Sequence, residues 1–322
     1  MSSRARDFSR VVGGRVLGAV VTMWLTTVIV FSSLYLVPGD PLSVLMRGRK
    51  PTPELVAQLR AQYELDLPFL ERYWNWFTGI LHGDFGYSIQ FQQDVSELIA
   101  GRLPTTAWLV MYTGLLIVVV GLALGAAAAV RGGRIDGSVL VATAAMSALP
   151  AFVAALVLLF VFSGMLGWFP TFGAGGPDPL ERIYHLTLPA IALAISYVGL
   201  MARITRSSVR AQLGADHVES AHLRGLAGGY VFRHHVARNA AVPILTFSGV
   251  LVAGLLVTSQ LVESVFGLNG IGSLIVESVK NLDMAVVQAV TLLIVAAFIL
   301  TNLIVDLVTP LIDVRLRRTG RS

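Results

Sequence analysis

LPTTAWLVMYTGLLIVVVGLALGAAAAV, residues 103–130, contains no Asp, Glu, Lys or Arg. A helix needs about 20 apolar residues to cross a hydrocarbon core roughly 30 Å thick, so this stretch is long enough to span a membrane with room to tilt. Five further segments read the same way: Val16–Val37, Val139–Leu166, Leu186–Ala202, Val242–Val262 and Ala285–Thr309. The one at 186–202 is short unless the basic stretch after it is included. Pro150 is expected to kink the third span. Of the 322 residues 55% are hydrophobic and 13% charged, half the roughly 25% charge that a soluble surface carries. The pattern is that of an all-α integral membrane protein with six transmembrane helices.

Six crossings put both termini on one side. Taking that side as inside, the cations there are Arg4, Arg6, Arg10 and Arg15, then Arg131 and Arg134, then Arg203, Arg206, Arg210, Arg224, Arg233 and Arg238, and finally Arg315, Arg317, Arg318 and Arg321. These are 16 of the 24 Lys and Arg, and the positive-inside rule places both termini in the cytoplasm. The net charge of +5 is thereby a matter of topology, so a bilayer and not a nucleic acid is the expected partner. The basic lead to the first span looks like a secretory signal, but the apolar run is too long and no small-residue cleavage site follows. It reads as an uncleaved span.

The chain accordingly divides into a cytoplasmic N-terminus (1–15), a first span (16–37), an external segment (38–102), a five-helix core (103–309) containing a cytoplasmic loop (203–241), and a cytoplasmic tail (310–322). In the external segment Glu54–Leu65 has the spacing of a short amphipathic helix. Pro68–Leu81 carries Phe69, Tyr73, Trp74, Trp76 and Phe77. It reads either as an aromatic belt at the membrane interface or as a small cap that meets a delivery protein or gates a pore mouth.

Absent motifs narrow the function. Without cysteine the chain has no disulfide, thiolate metal site or thiol nucleophile. Its two lysines precede Pro51 and Asn281, so neither completes the phosphate-cradling G-x-x-x-x-G-K-[ST] loop. No H-E-x-x-H or G-x-S-x-G occurs, and the adjacent His234 and His235 diverge by about 100° on a helix. Gly267–Gly272 follows no strand and has the wrong spacing for a dinucleotide loop, so it reads as a surface turn. Residues 16–37, 103–130, 139–166, 186–202, 242–262 and 285–305 hold no Asp, Glu, Lys or Arg, and Asp306 sits only at the inner end of the last span. A proton relay needs such residues. Catalytic, metal and cofactor-binding residues are therefore expected to be none, and energy must come from a partner. Ser147, Ser163, Ser196, Tyr197, Thr246, Ser248, Thr258, Ser259, Gln260 and Asn302 are expected mainly to hydrogen-bond between helices, which leaves the substrate-binding residues unassigned.

The loop 203–241 is the longest cytoplasmic segment. Asp216–Leu226 reads as a helix, with Asp216 as N-cap, Glu219 in capping-box spacing, and Val218, Ala221 and Leu226 as an apolar stripe. Gly225, Gly228 and Gly229 break it. A short helix of this kind can enter a cleft on another protein. Glu219-Ser220-Ala221-x-x-x-Gly225 resembles the E-A-A-x-x-x-G signature of ATP-binding-cassette importer permeases, with Ser220 in place of the first Ala. His235-x-x-Arg238-Asn239-Ala240-x-x-Pro243 departs from the general continuation of that signature and resembles the peptide branch. Pro38-Gly39-Asp40-Pro41, Gly83–Ser88, Arg102–Thr106, Glu263–Gly272 (with Asn269 where Pro is usual), Asn302–Asp306 and Asp313–Arg317 extend the likeness over nearly the whole chain.

On these residues the sequence is similar to the long-external-loop permease subunit of dipeptide, oligopeptide and nickel importers. The resemblance implies the type I importer permease fold in a bacterial plasma membrane. It implies a sister permease, two ATP-binding subunits and an extracytoplasmic substrate-binding protein as partners, with ATP and Mg bound by the ATPases and no cofactor in this chain. It places coupling to the ATPase at Glu219, Ser220, Ala221 and Gly225, supported by Asp216, Arg224, Arg238 and Asn239. Peptide import is the implied function. Import of nickel or another small solute is the alternative within that architecture, and a non-transporting membrane scaffold the alternative outside it.

Overall fold

A computed structural model describes residues 3–36, 52–62, 64, 66–88 and 90–312. Residues 37–41 and 313–317, two of the segments quoted above, lie outside them, as does the side chain of Asp306. The regular secondary structure of the described residues is helical apart from one small ribbon, in which β1 (Tyr87–Ser88) pairs antiparallel with β2 (Gln93–Asp94). The helices are α1 (Ser3–Leu36), α2 (Pro53–Gln62), α3 (Phe69–Leu81), α4 (Val95–Arg131), α5 (Gly133–Ala148), α6 (Ala151–Leu158), α7 (Pro179–Leu213), α8 (Asp216–Leu223), α9 (Gly228–Val231), α10 (Arg238–Val265), α11 (Ile271–Lys280) and α12 (Met284–Ile312). A π-helical stretch, Leu159–Met165, extends α6, and another, Phe232–Ala237, joins α9 to α10.

Five helical stretches are long and apolar enough to cross a membrane: Gly13–Ser33, Val95–Arg131, Pro179–Leu213, Gly228–Val265 and Met284–Val305. The third expected span is not one kinked helix. It is two, α5 and α6 with its extension, bent by 93°. Proline removes a backbone donor and disfavours helical geometry in the residue before it. Leu149 is accordingly extended (φ −83°, ψ 116°) and Pro150 starts a new helix. The carbonyl of Leu149, released at this break, accepts a hydrogen bond from Ser196 Oγ at 2.6 Å. The fourth span is longer than its apolar run suggests. α7 starts at Pro179, where the Asp178 carboxylate accepts from the Leu180 N–H, and its 35 residues take in Arg203, Arg206 and Arg210.

α7 is the centre of the bundle, and α4 lies along it. Tyr112 meets Thr187, Gly121 meets Met201, and Gly125 meets Ala202 and Thr205. The numbers rise together, so the two helices run parallel. Gly121 and Gly125 form a G-x-x-x-G face, whose missing side chains let the backbones approach closely; a Cβ on Gly121 would lie 2.5 Å from Met201 Cγ. Gly199 faces Thr143 and Ser147 of α5, while Gly254 of α10 accommodates the Tyr197 hydroxyl. Leu109, Ile117, Leu186, Leu193, Met201, Leu255 and Phe266 fill the core between them.

The polar residues inside the spans behave differently from expectation. Thr246, Ser248, Thr258, Ser259 and Asn302 donate to carbonyls of their own helices. The preceding turn supplies an acceptor at every such position, so no partner helix is needed. Ser147 and Ser196 do bridge elements: Ser147 Oγ accepts from Arg203 Nη2 at 2.9 Å, and Ser196 reaches Leu149.

Candidate coupling surface

The Gly214–Ala215 turn releases the chain from α7 into α8. Ala215, not Asp216, is the N-cap, and its side chain makes no capping bond. Its carbonyl accepts from Val218 N (2.8 Å) and Glu219 N (3.2 Å). Asp216 is the first helical residue, so the expected capping box does not form. Asp216 and Glu219 both sit in the first turn, where the helix dipole favours negative charge.

Val218 and Ala221 are buried with Val209 of α7, Val231 of α9, Val236 and Ala240. This small core fixes α8 to the helices on either side of it. The expected stripe stops there, because Leu226 is exposed. Gly225, at φ +76°, turns the chain away. Its N–H donates to the His222 carbonyl (2.9 Å) and that of Leu226 to the Ala221 carbonyl (3.3 Å), the paired bonds of a helix stop with a left-handed residue past its end. A Cβ at Gly225 would meet nothing within 4 Å, so backbone geometry and not crowding asks for glycine here.

The other residues singled out in the sequence divide. Asn239 Nδ2 donates to the His235 carbonyl (2.8 Å) and lies 3.2 Å from His217 Nε2, joining α8 to the start of α10. Asp216, Arg224 and Arg238 are exposed and have no side-chain partner among the described residues. Glu219, Ser220, His222 and Arg224 surround Leu223, which is 83% exposed. The result is a short, rigidly based helix with one apolar tip in a polar rim, on the end of the bundle where the Arg residues collect.

Two carboxylates matter more than the sequence suggested. Asp136, at the start of α5, accepts from Arg206 Nε and Nη2 and from Arg210 Nη1, the latter two at 2.6 and 2.9 Å from Oδ2. A forked guanidinium contact of this kind fixes direction as well as charge. It locks the first turn of α5 to the last turns of α7, the end of α7 from which the chain turns into α8. At the opposite end of the bundle Glu263 is completely buried, which corrects the reading of a charge-free interior. Thr106 Oγ1 donates to its Oε1 (2.8 Å), Ser273 N to its Oε2 (2.9 Å), and Thr106 Oγ1 accepts from Ile271 N (2.8 Å). The glycines at 270 and 272 are a cradle for this carboxylate, since a Cβ on Gly270 would come 2.6 Å from Thr106 Oγ1. Nearby, Ser88 donates to Asp283 (2.5 Å) and ties the ribbon to the start of α12.

Residues 117–318 match the family described as binding-protein-dependent transport system inner membrane component, and residues 8–110 match its N-terminal membrane component. The glutathione transport system permease protein GsiC of Salmonella choleraesuis is 37% identical over 304 residues, 94% of this chain and 97% of the relative. The protein of that name from Escherichia coli K12 is 35% identical over 305 residues, with the same shares covered. A probable peptide ABC transporter permease protein, y4tP of Sinorhizobium fredii, is 34% identical over 306 residues, again 94% and 97%. In three dimensions the chain is similar to one in an inward-facing structure of the MetNI methionine ABC transporter. The TM-score is 0.54 at 14% identity, covering 67% of this chain and 96% of that one. At that identity the likeness concerns the fold alone.

Proposed function

The chain belongs to the binding-protein-dependent transport inner membrane components, and we propose that, as a permease subunit of an ATP-binding-cassette importer in a bacterial inner membrane, it carries peptides. The names of its glutathione and peptide relatives support that cargo over nickel. In this reading a sister permease completes the pathway, two ATPase subunits bind ATP and Mg on the cytoplasmic side, and a substrate-binding protein delivers from outside. The loop 203–241 and both termini are cytoplasmic, and the segment 38–102 is external.

The single observation that carries the reading is α8, an exposed tip on a buried base. Val218 and Ala221 hold it against residues from α7 and from the start of α10. When the ATPase dimer closes on ATP and pulls α8 inward, both of those long helices move with it. Glu219, Ser220 and Gly225 present and end the docking helix, while Ala221 braces it. Asn239 keeps α8 and the start of α10 together, and the exposed Asp216, Arg224 and Arg238 are available to the docked subunit.

Vesicles reconstituted with the whole complex test this. Uptake of a labelled dipeptide or tripeptide should require ATP and the binding protein, and should continue when the proton gradient is collapsed at constant ATP. Immediate loss on collapse would overturn the energetic assignment. Uptake of nickel with no uptake of peptide would overturn the cargo and leave the architecture standing.

A further inference from the structure

α3 crosses α1 at a depth that the apolar run of α1 fixes. Tyr73 OH lies 2.9 Å from Thr27 Oγ1, and the single ring of Phe31 meets Phe69, Tyr73 and Trp76 at centroid distances of 5.4, 5.5 and 5.2 Å. Thr27 and Phe31 both belong to the apolar stretch Gly13–Ser33. At 1.5 Å per residue Thr27 is about 9 Å short of Ser33 along the axis. The contact face of α3 therefore reaches the level of the membrane-crossing part of α1.

That contact uses only part of the apolar surface of α3. At about 100° per residue, Phe69, Tyr73, Trp76 and Ile80 share the arc that meets α1. Leu70, Trp74, Phe77 and Leu81 share the neighbouring arc, and Glu71, Asn75 and Thr78 the remaining one. Leu70, Trp74 and Leu81 are 76%, 61% and 68% exposed. The polar arc has its own partner, since Asn75 donates to Glu64 at 2.8 Å. On α1 the exposed Trp24 falls about 60° round the axis from Thr27, next to the face that meets α3, whereas the exposed Leu25 and Ile29 fall on the opposite face.

We propose that α3 is an interfacial helix that sinks its Leu70–Trp74–Phe77–Leu81 stripe into the leaflet on the side away from α8, with Glu71 and Asn75 toward water. A helix with one broad apolar arc, a charged face and a tryptophan at the border is the form that lies in the plane of the interface, buried roughly 5–10 Å. A soluble delivery protein does not reach the level of Thr27 and Phe31, inside a membrane-crossing stretch, where α3 packs. The inference rests on the membrane placement of this chain and is indifferent to its cargo.

The absence of cysteine makes the test clean. Leu70→Cys, Trp74→Cys, Leu81→Cys and Glu71→Cys are each spin-labelled in the full complex, in phosphatidylethanolamine–phosphatidylglycerol vesicles. Collision with oxygen is compared with collision with aqueous chromium oxalate. The oxygen-to-oxalate ratio should be about threefold higher or more at the three stripe positions than at Glu71, as expected for groups beneath the headgroups. Equal ratios at all four would overturn the proposal. So would stripe labels that are immobile and shielded from both reagents, because a protein would then cover the stripe. Copurification of the ATPase subunits with each labelled chain confirms that each complex is assembled whatever its cargo, so a failed fold cannot pass for a result.

Discussion

Gly225 stands in open space, so what the position requires is a positive φ and nothing else. A left-handed conformation costs an L-residue about 1–2 kcal/mol, with asparagine among the few that tolerate it. Gly225→Asn should therefore transport nearly as well as the parent. Gly225→Val should let the end of α8 unwind and lower peptide taken up per ATP hydrolysed several-fold, while the ATPase subunits still copurify. Uptake and phosphate release measured in the same vesicles check this; an unchanged ratio for Gly225→Val would remove the helix stop from the coupling mechanism. The signature that drew attention to Gly225 is local, seven residues read in a row, and so it was legible. Asp136 and Glu263 were not. The partners of Asp136 stand 70 and 74 positions away, and in sequence it is a lone acid just after two arginines in a short loop. Glu263 falls one position beyond its apolar run, and its cradle of Thr106 and Ser273 comes from two other helices.

Elements were legible where composition decides them and obscure where geometry does. Charge-free runs located every long helix, but not the ends: α7 continues through three arginines, because their ionic partner and the serine of α5 are folded against them. Pro150 marked the break in the third span without giving its 93° angle, since proline removes a hydrogen bond but neighbours decide where the chain then goes. Close approach of α4 and α7 depends on Gly121 and Gly125, which in the sequence are only two small residues within a long apolar run. A Cβ on Gly125 would run into the Ala202 carbonyl and come 2.6 Å from Thr205 Cβ. Backbone cannot rotate aside as a side chain can, so the helices must separate. Gly125→Ala is expected to destabilise by roughly 1–3 kcal/mol, the usual cost of overpacking. Gly114→Ala on the same helix meets nothing within 4 Å and should be neutral or slightly stabilising. Thermal unfolding of the purified complex in detergent compares the two, and equal midpoints would mean that the glycine face does not set the spacing.

For the molecule as a whole the open quantity is the number of crossings, and the parallel run of α4 and α7 constrains it. Two parallel helices cannot follow one another through a bilayer unless the chain returns between them. Asp136 ties the start of α5 to the Arg206 end of α7, so the return begins on the α8 side. After α6 the chain reaches Gly173, whose N–H donates to the Phe266 carbonyl at 3.1 Å. Phe266 follows the end of α10 farthest from α8, so the return finishes on the other side. A re-entrant α5–α6 pair would leave those two contacts on one side, which the length of α7 between them forbids. Six crossings follow as the expectation, and with them two termini on the α8 side, an arrangement that would gather 16 of the 24 cations there. Single cysteines at Ser9, Asn269 and Thr319 in the cysteine-free chain test it with a membrane-impermeant maleimide on spheroplasts. Ser9→Cys and Thr319→Cys should react only after lysis, and Asn269→Cys, on the exposed turn before α11, should react before it. If one terminus alone were labelled from outside, the bent pair would not cross, and α8 could not share a compartment with both ends of the chain.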